Sequence, residues 1–170
     1  MKLIALLNPE NVSEGEVDKY RVREAVRAVV VDKDGLVALL RVNGESYYKL
    51  PGGGIEEGED EIVALNRERR EEIGCSVEIV SELGLVVEYR RIFKLKQTSY
   101  CYLARVNGEK GASAFTDCEK GKGFEPIWMK FDEALGKLKS CKATSVEGAS
   151  YIVPRDIAIL TEYLLSNSHE

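Results

Sequence analysis

The chain has 170 residues, 44% hydrophobic and 31% charged, with a formal net charge of −5 and a pI of about 5.2. That length suits one domain burying roughly 70% of the surface its unfolded form exposes. The acid excess argues against a nucleic acid polymer as main partner, but it leaves room for a small phosphorylated ligand whose charge a metal ion balances.

The start, "MKLIALL", holds one lysine and a run of five apolar residues, too short for a signal core. "LIALL" reads as a short strand or helix end and "NPENVSEGEVDKY" as a polar loop, so residues 1–20 are expected to form an N-terminal extension. "AVRAVVVD" and "LVALLRV" are β-branched runs joined by a turn at "KDG", a hairpin signal. After a turn at "NGES", "YYKLP" leads into the glycines at 52–54.

Over residues 60–73 the period becomes helical, and Gly74 supplies a C-cap. "GCSVEIV", "LGLVVEYR", "TSYCYLARV" and "EPIWMKF" read as strands, with a long flexible loop, "NGEKGASAFTDCEKGKG", before the last. "FDEALGKLKS" and "RDIAILTEYLLSN" carry helical spacing, and residues 166–170 read as a flexible tail. Strands around one central helix, with a helix at the end, indicate α+β or mixed α/β organisation in a single domain over 1–170.

No segment approaches the roughly 20 apolar residues of a membrane span. Cys75, Cys101, Cys118 and Cys141 form no C-x-x-C pair, and the one histidine is His169. A structural zinc site or a Cys/His nucleophile pair therefore has no material. The expectation is a cytoplasmic protein with reduced thiols and no membrane partner.

The central helix is strongly acidic. On a wheel of about 100° per residue, Glu61, Glu68, Glu71 and Glu72 share one arc of roughly 100°, with Ala64 inside it. Leu65, Ile62 and Ile73 form the neighbouring apolar stripe. Like charges at these spacings cost roughly 0.2–0.5 kcal/mol per pair, a cost that a cation between them would offset. Mg²⁺ wants hard oxygen ligands and keeps substrate phosphates in its shell. The glycines at 52–54 let backbone approach such a site closely. Taken singly, an acidic helix is more often a solvated face and a glycine run a turn; their joint spacing is the signal.

The pattern G-x5-E-x7-R-E-U-x-E-E-x-G-U, with U apolar, runs from Gly53 through Glu59, Arg67, Glu68, Glu71, Glu72 and Gly74 to Cys75. The chain therefore resembles the Nudix hydrolases, and the preceding "LPGG" fits too. Arg69 departs from the pattern, standing where an aliphatic residue is usual; its stem is expected to cover apolar surface with its head in water or on an acid. The resemblance implies an α/β/α sandwich with a mixed sheet and a central loop-helix catalytic motif. It also implies Mg²⁺-dependent hydrolysis (Mn²⁺ as substitute) of a nucleoside diphosphate linked to another moiety.

By position the resemblance makes Glu68, Glu71 and Glu72 metal ligands, with the Gly52 carbonyl as a backbone ligand. Arg67 would pair with Glu59 to hold the turn, with Gly53 and Gly74 as structural positions. The general base is a box glutamate, Glu71 or Glu72, or a loop glutamate, Glu119 or Glu125, with Glu119 preferred. Arg27 and Arg41, with Lys49 behind, are the candidates for substrate phosphate; Arg23 lies in the same region.

Tyr47, Tyr48 and Trp128 read mainly as packing residues, and "RRIFKLK" as a solvated strand edge rather than an RNA contact. No proline occurs between Pro51 and Pro126, and Tyr89 is out of register. The ADP-ribose or nucleotide-sugar class and the dinucleoside-polyphosphate class thus lack their marks. A nucleoside triphosphate, normal or oxidised, is the default. A non-catalytic nucleotide- or metabolite-sensing module on the same fold is the alternative, as is an interaction protein with an incidental acidic helix. Homodimers are frequent among similar proteins.

Overall fold

A computed structural model describes residues 1–167. Its elements run β1 (Leu3–Leu7), α1 (Glu14–Val17), β2 (Arg21–Val31), β3 (Val37–Val42), β4 (Tyr47–Lys49) and α2 (Glu61–Ile73). They continue with β5 (Ser76–Arg90), β6 (Leu95–Asn107), α3 (Asp117–Gly121), β7 (Phe124–Met129), α4 (Phe131–Ser140) and α5 (Val153–Asn167). The strands form one sheet in the order β1-β5-β6-β2-β3-β4, with β7 added on β3. β1–β5 and β2–β6 are parallel while β5–β6 and β3–β7 are antiparallel, so the sheet is mixed.

Strand alternation divides the core in two. Val26, Ala28 and Val30 of β2 pack with Ala64, Leu65 and Ile73 of α2. Val29 points to the opposite face, against Ala134 and Leu138 of α4 and Ile159 and Leu160 of α5. Helices therefore cover both faces, the α/β/α sandwich expected from the sequence.

α2 starts where Asp60 Oδ1 accepts the amides of Ile62 and Val63 at 2.9 and 2.8 Å, the usual action of an N-cap carboxylate. It ends at Gly74 in the left-handed region, φ +63°, where an added Cβ would lie 2.3 Å from the Gly111 carbonyl oxygen. The loop after β6, expected to be flexible, contributes here. Ser113 Oγ donates to the Glu72 carbonyl at 2.7 Å, and Ala114 N to the Glu71 carbonyl at 2.7 Å. These bonds satisfy carbonyls that a helix C-terminus otherwise leaves open.

Several expectations change. Residues 1–20 are not a bare extension: β1 pairs along β5, and Val12, Val17 and Tyr20 bury against Tyr89. The two strands read in "GCSVEIV" and "LGLVVEYR" are one, β5, with irregularities between Ile79 and Ser81 and between Glu82 and Gly84. Ser166 and Asn167, read as tail, continue α5, while residues 168–170 with His169 lie outside the described residues.

The buried face of α2 also differs from the wheel. It comprises Ala64, Leu65, Glu68, Arg69, Glu72 and Ile73, while Ile62 is exposed. Half of the acidic stripe turns inward because it faces the glycine loop as well as the sheet. Arg69 is fully buried, and its head reaches neither water nor an acid. Nη2 donates to Asn66 Oδ1 at 2.7 Å, whereas Nε and Nη1 have no partner.

Candidate active site

β4 delivers the chain into the glycine loop, which lies along β2. The amides of Val26 and Ala28 donate to the carbonyls of Gly53 and Pro51 at 2.9 and 3.1 Å. The approach is close. A Cβ on Gly52, at φ +133°, would sit 2.1 Å from the Val26 carbonyl oxygen, and one on Gly53 would sit 2.1 Å from Glu68 Oε1. The Glu68 carboxylate thus occupies space that only a glycine leaves open.

Arg67 ties the loop to the helix. Its Nε and Nη2 donate to the two oxygens of Glu59, both at 2.8 Å, and Nη2 also reaches the Gly54 carbonyl at 3.0 Å. Nη1 donates to Glu68 Oε1 at 2.7 Å and more loosely to Glu71 Oε2 at 3.5 Å. The bidentate fork holds the Glu59 carboxyl at about 2, well below the usual carboxylate range, and the Glu56 amide adds to this.

Glu72 is 1% exposed. Its Oε2 accepts the Gly52 amide at 2.6 Å, and its Oε1 accepts Lys49 Nζ at 2.8 Å. Burial pushes its carboxyl up to about 7, against the opposing pull of Lys49. Glu71 is the most open of the three, with 37% of its side chain exposed.

Glu68, Glu72 and the glycines at 52–54 line a cleft of about 260 Å³. Cationic side chains line it too: Arg23 and Arg27 of β2, Arg155 of α5, and Lys122 beyond α3. Among the described residues Arg27 is buried without a carboxylate partner: Nη1 donates to the Val26 and Gly53 carbonyls at 2.6 and 3.1 Å, and Nε has no partner. Burial, then the nearby charge of Arg155, lowers its pKa to about 10. Arg155 is 1% exposed and binds Asp156 through Nε at 2.7 Å and Nη2 at 3.2 Å, leaving Nη1 unpartnered. Asp156 in turn accepts the Leu50 amide at 2.8 Å, fixing α5 to the start of the glycine loop. Unmatched buried guanidinium groups are costly.

Glu119 also lines the cleft. Its Oε2 accepts the Thr116 amide and hydroxyl, both at 2.8 Å, in a capping box at the start of α3. Arg41 does not belong to this region: it is exposed on β3 and lines a separate depression with Tyr48 and Cys141. Its strand position is opposite Tyr48 of β4 and Glu125 of β7. Tyr47 lines the main cleft; Tyr48 does not. Trp128 packs with the α2-side core and carries Lys110 Nζ 3.7 Å above its ring.

Sequence reasoning passed over Arg155 and Glu147. It also missed the buried chain behind the cleft, in which Gln97 Nε2 donates to Glu88 at 2.5 Å and Arg90 bridges Glu88 and Glu147 at 3.0 and 2.6 Å. One signal was available: Glu88 and Arg90 continue the inward register of Val86. Charged residues at an apolar period mark a polar interior.

The donor chemistry of Glu68, Glu71, Glu72 and the Gly52 carbonyl suits a hard divalent cation. The cradle around the Glu68 carboxylate, shaped by the missing Cβ of Gly53, also fits such a role. Among the described residues, no three Asp, Glu, His or Cys side chains converge closely enough to hold an ion as they stand. In this conformation Arg67 and Lys49 lie on the carboxylates of Glu68 and Glu72 instead.

A sandwich with a mixed sheet, a glycine loop clamped to an acidic helix, and arginines of β2 and α5 in the same cleft make up the site. The model of the NUDIX domain matches residues 21–147, and the chain belongs to the Nudix hydrolase family, whose members generally use divalent metal ions. Over 75 residues it is 37% identical to an RNA pyrophosphohydrolase of Halorhodospira halophila, covering 44% of this chain and 41% of that protein. Another from Ruthia magnifica is 36% identical over 75 residues, covering 44% and 42% respectively. The chain therefore spans less than half the length of the curated relatives it matches.

Among solved structures, a NUDIX hydrolase from Nitrosomonas europaea superposes with a TM-score of 0.64 at 19% identity, over 86% of this chain and 90% of that one. The Ap4A hydrolase of C. elegans gives 0.59 at 18% identity, over 86% and 99%. These likenesses speak for the fold. No helix among the described residues is long and apolar enough to cross a membrane.

Proposed function

We propose that this chain is a Mg²⁺-dependent pyrophosphohydrolase that cleaves a phosphoanhydride in a nucleoside diphosphate linked to another moiety, with Mn²⁺ as a substitute ion. One observation carries the reading: buried Glu68 and Glu72 line the same cleft as Arg23, Arg27 and Arg155. The acids are placed to hold cations and the arginines to hold phosphate oxygens.

Glu68, Glu71, Glu72 and the Gly52 carbonyl would hold the ion, which when bound supplies charge neutralisation and an acidified water. The chain's own residues do the rest. Arg67 and Glu59 keep Glu68 aimed at the loop, and the Gly52 amide fixes the rotamer of Glu72. Arg27 and Arg155 orient the phosphate chain through their unpartnered N–H groups, the preorganised electrostatics that phosphoryl transfer demands. Glu119, whose other oxygen has no partner among the described residues, is the preferred proton acceptor at the cleft edge.

A nucleoside triphosphate, normal or oxidised, remains the substrate of first choice. The relatives named RNA pyrophosphohydrolase add a triphosphate on an RNA end to the candidates, and Ap4A hydrolase adds dinucleoside polyphosphates. A cytoplasmic setting fits the free state of all four cysteines, including exposed Cys118. The single-domain reading of the chain is supported by the one continuous sheet that carries β1 as well as the matched region.

The test is a substrate panel of nucleoside triphosphates, nucleotide sugars, dinucleoside polyphosphates and a 5′-triphosphorylated oligonucleotide, with products separated chromatographically. Turnover should need Mg²⁺ and fall by roughly 10²-fold or more in Glu71→Gln, as loss of preorganised charge at such a centre does. Equal turnover in both proteins would reject the assignment. Tight nucleotide binding without turnover would point to a sensing module.

A further inference from the structure

Lys49 stands in a place its sequence position does not explain. A lysine three residues before Gly52 would ordinarily extend toward phosphate as a flexible point charge. Here its ammonium donates to Glu72 Oε1 at 2.8 Å and to the Gly52 carbonyl at 3.3 Å. Those two oxygens are half of the set that suits the divalent ion. The side chain is only 12% exposed, and the Phe124 ring lies 5.1 Å from Nζ on another side. Among the described residues Glu72 has no other cation in contact, and its other side-chain hydrogen bond is from the Gly52 amide.

We infer that Lys49 is an internal counter-ion that occupies the metal's oxygens while the site holds no metal and moves onto substrate phosphate when the metal arrives. The inference rests on the proposed metal role of Glu72 and Gly52. An ammonium and a divalent ion cannot share the same two oxygens at contact distance, because like charges repel most strongly where water is excluded. Binding of the ion therefore expels the ammonium. The four-carbon stem keeps Nζ tethered inside the cleft, whose lining also carries Arg27 and Arg155. There the freed charge joins the phosphate-binding groups. Metal-free protein is spared a bare buried carboxylate, and anion affinity rises only once metal is present. Lys49 is a positioning residue in the first state and a substrate contact in the second.

The experiment is metal titration of the full chain without substrate, by calorimetry with Mg²⁺ and by the free-ion spin resonance signal with Mn²⁺. Lys49→Gln and Lys49→Met remove the competing charge, and Lys49→Arg keeps it. The neutral variants should bind the ion about tenfold more tightly than the parent, within the usual range of coupling between two ligands of one site. Their metal-induced rise in melting temperature should also be larger. Lys49→Arg should bind the ion as the parent does. A lysine that merely packs on Phe124 would give the opposite sign, since its loss would loosen the site and weaken the ion.

Unchanged or weaker ion binding in Lys49→Gln, with a parent-like circular dichroism spectrum, overturns the inference. Should Lys49→Met fail to fold, Lys49→Gln still decides, because its amide can keep the hydrogen bonds to Glu72 and Gly52. If no protein in the series binds either ion, the metal reading of the site falls and the inference with it. Ion binding that is present yet indifferent to Lys49 sinks the inference alone.

Discussion

Gly53→Ala separates the stability of this fold from the working of its site. The Gly53 backbone lies outside the left-handed region, so an L-residue is tolerated locally. The new Cβ, however, would lie 2.1 Å from Glu68 Oε1, 2.4 Å from its Cδ and 2.6 Å from Oε2. Ordinary contact begins near 3.4 Å, so the carboxylate must retreat by about 1.3 Å (3.4 minus 2.1). It can do so, being the end of a flexible side chain, but it then loses its 2.7 Å bond from Arg67.

A hydrogen bond to a charged group is worth about 1.5–3 kcal/mol, less where water reaches it. Replacing glycine returns about 0.4–1 kcal/mol by stiffening the unfolded chain. Arg67 keeps Glu59 and the Gly54 carbonyl. The net loss should be about 1 kcal/mol, a fall in Tm of about 2–4 °C for a domain this size. Turnover should fall far more, about 10²-fold, because misplacement near 1 Å costs that much at a reacting centre. Scanning calorimetry together with turnover on the best substrate of the panel checks both numbers. Gly52→Ala is the contrast: at φ +133°, with its Cβ 2.1 Å from a backbone oxygen, it should damage folding itself. A Gly53→Ala enzyme with parental turnover and metal affinity would refute the reasoning.

Arg69→Leu should raise stability by about 1–3 kcal/mol in urea denaturation, since it replaces a fully buried guanidinium with two unpartnered nitrogens by an apolar side chain. Glu59, with its carboxyl held near 2 by Arg67, has a depressed folded pKa. It stabilises the protein above its unfolded value of 4.5 and loses that contribution as pH falls toward 2. Denaturant midpoints of parent and Glu59→Gln should therefore differ at pH 7 and converge toward pH 2. Glu119→Gln should lower kcat by about 10²-fold at unchanged Mn²⁺ affinity if it takes the proton. Its amide oxygen can still accept from Thr116, so Tm should hold.

The motif from Gly53 to Cys75 was legible because its logic is local. A turn needs glycines, a helix sets its neighbours at three and four residues, and Asp60 and Gly74 bound that helix by the chemistry of their own side chains and backbone. Sequence alone therefore carried the resemblance to the family, and through it the sandwich and the candidate ligand set. Which of those glutamates are buried was not legible. The wheel gave one acidic face, but only packing against the loop turns Glu68 and Glu72 inward and leaves Glu71 half open. Nor could spacing separate Arg27, in the cleft, from Arg41, outside it, because pairing in the sheet decides which strand neighbours which. Arg155 lies 102 positions beyond Gly53, and only the folding of α5 onto the sheet brings it to the cleft. Local pattern records what each segment can form. The partner of a buried charge is chosen by contacts between segments distant in the chain, and for Lys49 and Glu72 tertiary structure alone made that choice.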